Sequence, residues 1–312
     1  MDLDVALNIG LVAVGLAMLC YGGNWLVNGG VAIAQKFRIS NLVIGMTVVA
    51  YGTSTPELAA SLAAAGQHNE IILGNIVGSN IANIGMVIGI TSIIIPLVVK
   101  KTTLKKEMPL MLGFSLLLIL LSVDGEISQY DGILLLILLI IFTIYMYRGA
   151  QSEPEDVDST LQKKNVYLKA FLLLIVGIVF LYVGAKLTVD NSVIVAQTFG
   201  ISERIIGLTV IAIGTSLPEL ITSVIAIKKG HTDIGIGNII GSNVYNILMI
   251  MGVTSAIAGV VIVDQVFYDY AIMIAFSLGL FAVMLKGMIT RTMGIGLSVA
   301  YVFYLVSGFL LD

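Results

Sequence analysis

Two glutamates lie inside otherwise apolar stretches of this 312-residue chain. Glu57 ends the phrase GTSTPE at 52–57, and Glu219 ends the phrase GTSLPE at 214–219. A carboxylate inside a segment apolar enough to span a bilayer is costly, and it typically marks an ion pathway or a binding site. Two such acids in matching contexts therefore indicate a site.

The residues around each glutamate can expose backbone oxygens. Gly52 is flexible and Pro56 donates no backbone hydrogen bond, so a helix is expected to break here. The break is expected to release carbonyl groups around Ala50 and Thr53, which need a partner at bilayer depth. With the hydroxyls of Thr53 and Ser54 and the nearby carboxylate, they form a set of hard oxygen ligands that Ca²⁺ and Na⁺ prefer. The second phrase supplies the same roles with Ala212, Thr215, Ser216 and Glu219.

A second duplicated motif places amides and hydroxyls on one helix face. Asn75, Ser79 and Asn83 are spaced so that they form one polar stripe on an otherwise apolar helix. The second copy has Asn238, Ser242 and Asn246. Glycines are expected to let the neighbouring motif approach closely; they are Gly74, Gly78, Gly237 and Gly241. These motifs contain no histidine or cysteine, which argues against Zn²⁺ or copper and for an alkali or alkaline-earth ion.

Composition places the chain in a membrane. Hydrophobic residues make up 58% and charged residues 11%, far below the charged fraction of soluble domains. The net charge of −3, with no long basic or aromatic-interleaved run, excludes nucleic acid as a partner. Cys20 is the only cysteine, so an intramolecular disulfide and a thiolate metal cluster are excluded. Asp2 and Asp4 stand where a cleaved signal peptide needs basic residues, so the first apolar segment is expected to remain as a span.

Ten apolar runs are long enough to cross about 30 Å of hydrocarbon. They lie near 5–30, 41–65, 71–99, 108–123, 130–147, 166–189, 203–227, 234–262, 268–285 and 292–310. With the amino terminus outside, all of the 16 basic residues except Lys186 and Arg204 fall on the cytoplasmic side. We therefore expect a multi-pass protein of the cytoplasmic membrane with its N-terminus outside.

The two halves of the chain repeat one another. Residues 37–65 align with 199–227 without a gap at an offset of 162, and 74–89 align with 237–252 after a one-residue insertion. Because each half contains five predicted spans, an odd number, the second half must enter the membrane from the opposite side. Inverted repeats of this kind are typical of secondary transporters.

These observations predict an all-α membrane protein with ten transmembrane helices in two inverted-topology five-helix repeats. The first repeat is expected at 1–148 with its motifs at 52–57 and 74–83. The second is expected at 166–312 with its motifs at 214–219 and 237–246. Residues 149–165 are polar and show no period that would bury a face, so they are expected to form a cytoplasmic linker.

Other classes of function fit less well. A structural ion pair lacks its partner, because no basic residue lies in either glutamate helix at membrane depth, and two buried acids repel unless a cation lies between them. An intramembrane enzyme lacks an HExxH motif and a serine–histidine pair, and His68 and His231 both lie in predicted loops. A cation channel or an ion sensor built on the same oxygens remains as an alternative from another class. We expect no enzyme activity and no cofactor.

The paired GTSxPE and GNxxGSNxxN motifs resemble the α-repeats of the cation/calcium exchanger superfamily, most closely its prokaryotic sodium/calcium exchanger branch. The resemblance implies that Glu57 and Glu219 bind Ca²⁺ together with the backbone oxygens of Thr53 and Thr215. It implies Na⁺ sites at Ala50, Ser54, Ser79, Ala212, Ser216 and Ser242, with Asn83 and Asn246 lining the centre. Well-studied sodium/calcium exchangers carry an aspartate where this chain has Asn246, which leaves two central acids instead of three.

The function implied is an antiporter that exchanges Na⁺ for Ca²⁺ by alternating access around the two glutamates. The transported ions and the lipid bilayer are its expected partners, with no obligatory protein partner. Exchange that involves protons or K⁺, or another divalent cation, is the alternative left open by the missing aspartate.

Overall fold

The computed structural model describes residues 3–148, 164–200, 212–263 and 265–311. Most of them are helical. The helices are α1 (Leu3–Phe37), α2 (Asn41–Thr53), α3 (Thr55–Ala64), α4 (Asn69–Ile94), α5 (Met108–Leu121), α6 (Gln129–Arg148), α7 (Lys164–Thr198), α8 (Ala212–Thr215), α9 (Leu217–Lys228), α10 (Thr232–Ala258), α11 (Val266–Met284) and α12 (Arg291–Leu311). The predicted linker lies outside the described residues except for 164 and 165, which begin α7 instead.

Four two-residue strands correct the expectation of helices alone. They are β1 (Leu97–Val98), β2 (Glu126–Ile127), β3 (Val260–Val261) and β4 (Met288–Ile289). β1 pairs antiparallel with β4, and β2 pairs antiparallel with β3. Each ladder satisfies backbone groups in connections that leave a helix, where the helix can no longer do so. Both ladders join the first half of the chain to the second.

The helices that carry the two glutamates break where the sequence predicts. α2 ends at Thr53 and α3 begins at Thr55, and Ser54 between them has φ −82° and ψ 8°. Ser216 separates α8 from α9 with nearly the same dihedral angles, φ −89° and ψ 3°. The proline that follows lies in the first turn of α3 or α9, where its missing N–H costs nothing. Each glutamate is thereby placed in the first turn of a new helix.

The break is tighter than expected, so one predicted carbonyl is not released. The carbonyl of Ala50 accepts a hydrogen bond from the backbone N–H of Ser54 at 3.0 Å, and the hydroxyl oxygen of Thr53 lies 3.2 Å from it. A single non-helical residue redirects the chain, and the last turn of α2 stays closed around it. The expectation that Ala50 offers a free carbonyl in this conformation is wrong.

α1 and α7 pack along a seam of small residues. Gly15, Gly22 and Gly29 recur every seven residues on α1 and face Gly184, Gly177 and Ala170 on α7, which makes the pair antiparallel. A Cβ atom on Gly22 would lie 2.9 Å from the carbonyl oxygen of Gly177. Only residues without larger side chains let the two backbones approach this closely. The seam brings the first long helix of each half into contact.

Glycines on α10 give the same close approach at the centre of the fold. α10 is buried along its span, and a Cβ atom on Gly237 would lie 2.6 Å from the carbonyl oxygen of Leu42. At Gly241 it would lie 2.6 Å from the carbonyl oxygen of Met46. The predicted role of these two glycines is confirmed.

The matching glycines of α4 stay untested. The repeat offset of 162 places the equivalents of Leu42 and Met46 at 204 and 208, outside the described residues. Gly74 and Gly78 have no described residue within 4 Å of a Cβ position.

Six helices in the described part of the chain are long and apolar enough to cross a membrane. They are α1 from Val5, α4, α6, α7 from Leu168, α10 and α11. The segments that carry the glutamates fall short because they are broken at Ser54 and Ser216. α5 continues directly from a π-helical turn at Thr103–Glu107, which contains Lys105 and Lys106. The ten crossings in two inverted halves stay a prediction.

Candidate cation site

Glu57 and Glu219 are both buried, with 1% of each residue exposed. Each lies in the first turn of its helix, where the positive end of the helix dipole favours an anionic group. The two acids are brought to one region, because Ser54, three residues before Glu57, donates a hydrogen bond to Glu219. Neither carboxylate takes part in the ion pairs formed between described residues, which are Lys100 with Asp233 and Lys186 with Asp190.

Glu219 is held by hydroxyls from both halves. Its Oε1 atom accepts hydrogen bonds from Ser54 at 3.2 Å and from Ser242 at 3.3 Å. Its Oε2 atom has no hydrogen-bond partner among the described residues. The Oε2 atom of Glu57 likewise has none. Ser54 reaches Glu219 because it forms the break in the other half, so the two broken helices meet at this point.

Thr53 lies beside the polar stripe of α10. Its hydroxyl donates to Oδ1 of Asn238 at 3.0 Å and lies 3.4 Å from the hydroxyl of Ser242. Asn238 donates to the hydroxyl of Ser223 at 3.0 Å, and this bond joins α10 to α9. These contacts bring Thr53, Ser54 and Ser242 together beside Glu219.

Asn75 joins the two motifs of the first half, as Asn238 joins those of the second. The Asn75 amide donates to the backbone carbonyl of Glu57 at 3.0 Å and to the hydroxyl of Ser61 at 2.8 Å, so it fastens α4 to α3. Ser61 and Ser223 were not identified from sequence. They occupy matching positions at the repeat offset of 162, and this is the signal that could have found them.

Asn83 and Asn246 present buried amide oxygens. The Oδ1 atom of each has no hydrogen-bond partner in the described chain, while the Nδ2 atom of each is satisfied. Both residues begin a π-helical turn, Asn83–Ile88 in α4 and Asn246–Met251 in α10. Isolated π turns in α-helices occur frequently at functional sites. Sequence analysis assigned no role to their amide partners, Asn243 and Asn80, although both stand in the duplicated GSN phrase.

The other predicted ligands lie on the same elements. Ala50, Ser79 and Ser216 are buried, Thr215 is half-buried, and the backbone of Ala212 begins α8. The hydroxyl of Ser216 has no hydrogen-bond partner among the described residues.

The centre therefore contains acceptors in excess of donors. Buried oxygens without a partner cost free energy, and a cation satisfies oxygens without requiring a donor. Among the described residues no three His, Cys, Asp or Glu side chains form a metal-binding group, so ion binding here depends on two carboxylates and neutral oxygens. Such a set suits Na⁺ and Ca²⁺ better than transition metals.

Helices of membrane-spanning length and a buried acidic centre assembled from two similar half-chains define a multi-pass membrane protein of the ion-transporter class. The chain belongs to the sodium/calcium exchanger protein family, whose model matches residues 7–148 and again 169–309. The resemblance seen in the motifs is confirmed. The family consists of transporters whose substrates are ions, which confirms that the chain is not an enzyme and needs no cofactor.

The chain is similar to several known members over most of its length. It is 38% identical to the inner membrane protein YrbG of Escherichia coli over 279 residues, which cover 86% of each chain. It is 31% identical to the sodium/calcium exchanger MaX1 of Methanosarcina acetivorans over 352 aligned positions, covering 97% of this chain and 98% of MaX1. A structure of the sodium-calcium exchanger NCX_Mj soaked with 10 mM Na⁺ and zero Ca²⁺ superposes with a TM-score of 0.86 and 36% identity, covering 97% of this chain and 99% of NCX_Mj.

Proposed function

We propose that this protein is an antiporter that exchanges Na⁺ for Ca²⁺ across the cytoplasmic membrane by alternating access around Glu57 and Glu219. The observation that carries the proposal is the set of carboxylate and amide oxygens at the centre that have no hydrogen-bond partner among the described residues, two from each half. They are Glu57 Oε2, Asn83 Oδ1, Glu219 Oε2 and Asn246 Oδ1. Membership of the exchanger family supports Na⁺ and Ca²⁺ as the ions that would satisfy them.

The charge of the centre explains why exchange would be obligatory. Closing two uncompensated carboxylates in a dehydrated site costs roughly several kcal/mol for each ion. An empty transporter would therefore change conformation slowly. Binding of one Ca²⁺, or of Na⁺, cancels the charge and permits the change, so the site crosses only when it is filled.

We assign the ligands as the family resemblance implies. Ca²⁺ is bound by the carboxylates of Glu57 and Glu219 and by the backbone oxygens of Thr53 and Thr215. The flanking Na⁺ ions are bound with contributions from Ala50, Ser54, Ser79, Ala212, Ser216 and Ser242, and Asn83 and Asn246 contribute the central amide oxygens. The hydroxyls of Ser54 and Ser242 support this assignment, because both already lie within 3.3 Å of a carboxylate oxygen.

Transport in proteoliposomes tests the function. Liposomes loaded with Na⁺ are diluted into Na⁺-free buffer with trace radioactive Ca²⁺, and the assay is repeated with a pH gradient or with K⁺ in place of the Na⁺ gradient. We expect Ca²⁺ accumulation against its gradient that requires internal Na⁺. We expect Glu219→Gln to reduce it about 100-fold, as loss of a buried charge partner does, while Glu70→Gln, at an exposed site on α4, leaves it unchanged.

Three other outcomes would contradict the proposal. Uptake driven only by protons or K⁺ would identify another coupling ion. Dissipation of a Ca²⁺ gradient without accumulation would identify a channel. Full activity of Glu219→Gln would place the site elsewhere.

We also propose the topology predicted from the sequence. The halves at 1–148 and 166–312 are inverted around a cytoplasmic linker at 149–165, and the N-terminus lies outside. In a chain with Cys20→Ser, an impermeant maleimide added to intact cells should label Asp124→Cys. It should label Lys105→Cys only after permeabilisation, and the reverse pattern would overturn the orientation.

A further inference from the structure

Four asparagines and two methionines at the centre are related by the sequence repeat. Asn80 and Asn83 match Asn243 and Asn246 at an offset of 163 residues, and Met111 matches Met273 at an offset of 162. All six side chains are buried, and each methionine has 1% of its surface exposed. Their hydrogen bonds form two chains with the same order of residues.

The first chain runs from Asn246 through Asn80 to Met273. Asn246 donates from Nδ2 to Oδ1 of Asn80 at 3.0 Å. Asn80 in turn places its Nδ2 atom 3.6 Å from the sulfur of Met273 and 3.4 Å from the backbone carbonyl of Asn243.

The second chain runs from Asn83 through Asn243 to Met111. Asn83 donates from Nδ2 to Oδ1 of Asn243 at 3.0 Å, and Asn243 places its Nδ2 atom 3.5 Å from the sulfur of Met111. In both chains the asparagine from one half is held by the methionine of the other half. We call these two chains the amide relays.

The methionine at the end of each relay fixes the orientation of the asparagine side-chain amides. A thioether sulfur and a backbone carbonyl can accept a hydrogen bond but cannot donate one. The NH₂ group of Asn80 must therefore point toward Met273, and its oxygen must point toward Asn246. Asn246 must then donate, and its own oxygen is left to face away from the relay. The sulfur of Met111 orients Asn243 in the same way, and Asn243 in turn orients Asn83.

The free ends of the relays are the two amide oxygens that have no partner in the described chain, Asn83 Oδ1 and Asn246 Oδ1. A reversed amide at either position would present an NH₂ group, which repels a cation. We propose that Met111 and Met273 are positioning residues that keep these two oxygens turned toward the transported ions. This inference rests on the proposed function, because it assigns a task to residues that touch no ion themselves.

Methionine-to-leucine substitutions test the relays, since leucine keeps the apolar volume and removes the acceptor. Met111→Leu and Met273→Leu are compared with Met108→Leu on α5 and Met284→Leu on α11, which are equally buried. We expect half-saturating Ca²⁺ for Na⁺-driven uptake to rise about five-fold in each relay variant, as loss of one hydrogen bond predicts. The maximal rate should change less than about two-fold, because packing is retained.

A rescue variant at Met273 distinguishes loss of the hydrogen-bond acceptor from a change in packing. Met273→Gln supplies an acceptor oxygen at a similar distance along the side chain, so it should return half-saturation toward the wild-type value. If Met273→Leu and Met284→Leu shift half-saturation equally, or if Gln does not rescue, the relay has no role in ion binding.

A second measurement does not depend on transport. In protein labelled with ¹⁵N-asparagine and purified in detergent, Met273→Leu should shift the side-chain amide resonances of Asn80 and Asn246, and Met284→Leu should not. Unshifted resonances would overturn the relay whatever the protein transports. If wild-type protein moves no Ca²⁺ with Na⁺ but these resonances shift, the proposed function fails and the relay stands.

Discussion

Glu219 accepts hydrogen bonds from Ser54 and Ser242 through one oxygen, whereas the hydroxyl of Ser216, which matches Ser54, donates to no described residue. The two halves nevertheless carry the same residues, since Ser216 and Ser79 match the two donors.

The difference shows that a repeated sequence need not produce a symmetric site. Under alternating access the two inverted halves exchange conformations, so a single state should be asymmetric. We therefore expect the opposite state to exchange the pattern, with Ser216 and Ser79 donating to Glu57.

Neutralising either glutamate should change the free energy of unfolding of the ion-free protein more than any other substitution considered. Glu57→Gln should raise the free energy of unfolding by about 3 kcal/mol in buffer free of Na⁺ and Ca²⁺, because it removes a buried charge whose Oε2 atom has no hydrogen-bond partner among the described residues. Glu219→Gln should raise it less, because two hydroxyl bonds already stabilise that carboxylate. Thermal unfolding in detergent measures both, and a larger rise for Glu219→Gln would show that the asymmetry described here is not that of the empty protein.

A smaller change, a loss of stability, is expected when a methyl group is added where α10 packs closely against α2. Gly241→Ala should destabilise the protein by about 2 kcal/mol, because the new methyl group would lie 2.6 Å from the carbonyl oxygen of Met46. Gly113→Ala on α5, where no described residue lies within 4 Å of a Cβ position, should stabilise it slightly through helix propensity. Equal thermal stability of the two variants would mean that α10 has room to shift.

The serines test the asymmetry directly at a smaller magnitude. Ser54→Ala should cost about 1.5 kcal/mol, the contribution of a hydrogen bond to a charged group. Ser216→Ala should cost less than about 0.5 kcal/mol, because the hydroxyl it removes has no partner in the described chain. Unfolding of both variants without ions measures the difference, and equal costs would contradict the observed pattern.

The smallest change in stability is expected at Lys229, outside the membrane-spanning segments. Lys229 donates to Oδ1 of Asn24 and, at 2.6 Å, to Oδ1 of Asn28, so it joins the end of α9 to α1. The turn that follows α3 in the first half, at 65–68, contains no lysine. Partial burial lowers the pKa of the Lys229 ammonium. Lys229→Met should lower the free energy of unfolding by about 0.5 kcal/mol, and Lys228→Met should leave it unchanged. Thermal unfolding measures both variants. Equal values would show that the Lys229 contact does not make the two halves differ in stability.

The sequence predicted which residues are equivalent better than which residues meet. Constant offsets identified the pairs Glu57 with Glu219 and Asn83 with Asn246, and the proline in each phrase located the helix break. Local chemistry was enough for these predictions, because the signal lies within a few residues.

The contacts between halves could not be predicted in this way. Ser54 with Glu219, and Asn83 with Asn243, are at least 160 residues apart along the chain. No periodicity connects such positions, so only the packed structure shows which groups face each other. The Ala50 carbonyl was predicted wrongly for a related reason, since a single residue can redirect a helix without opening its last turn.

The two short β-ladders have a consequence for biogenesis. Leu97 and Val98 leave the ribosome long before their partners Ile289 and Met288 are synthesised, and Glu126 and Ile127 likewise wait for Val261 and Val260. The first half must therefore remain in the membrane with unfinished edges until the last connections are inserted. A chain truncated after the linker would be an incomplete membrane protein exposed to quality control, and co-expression of the missing half is the expected remedy.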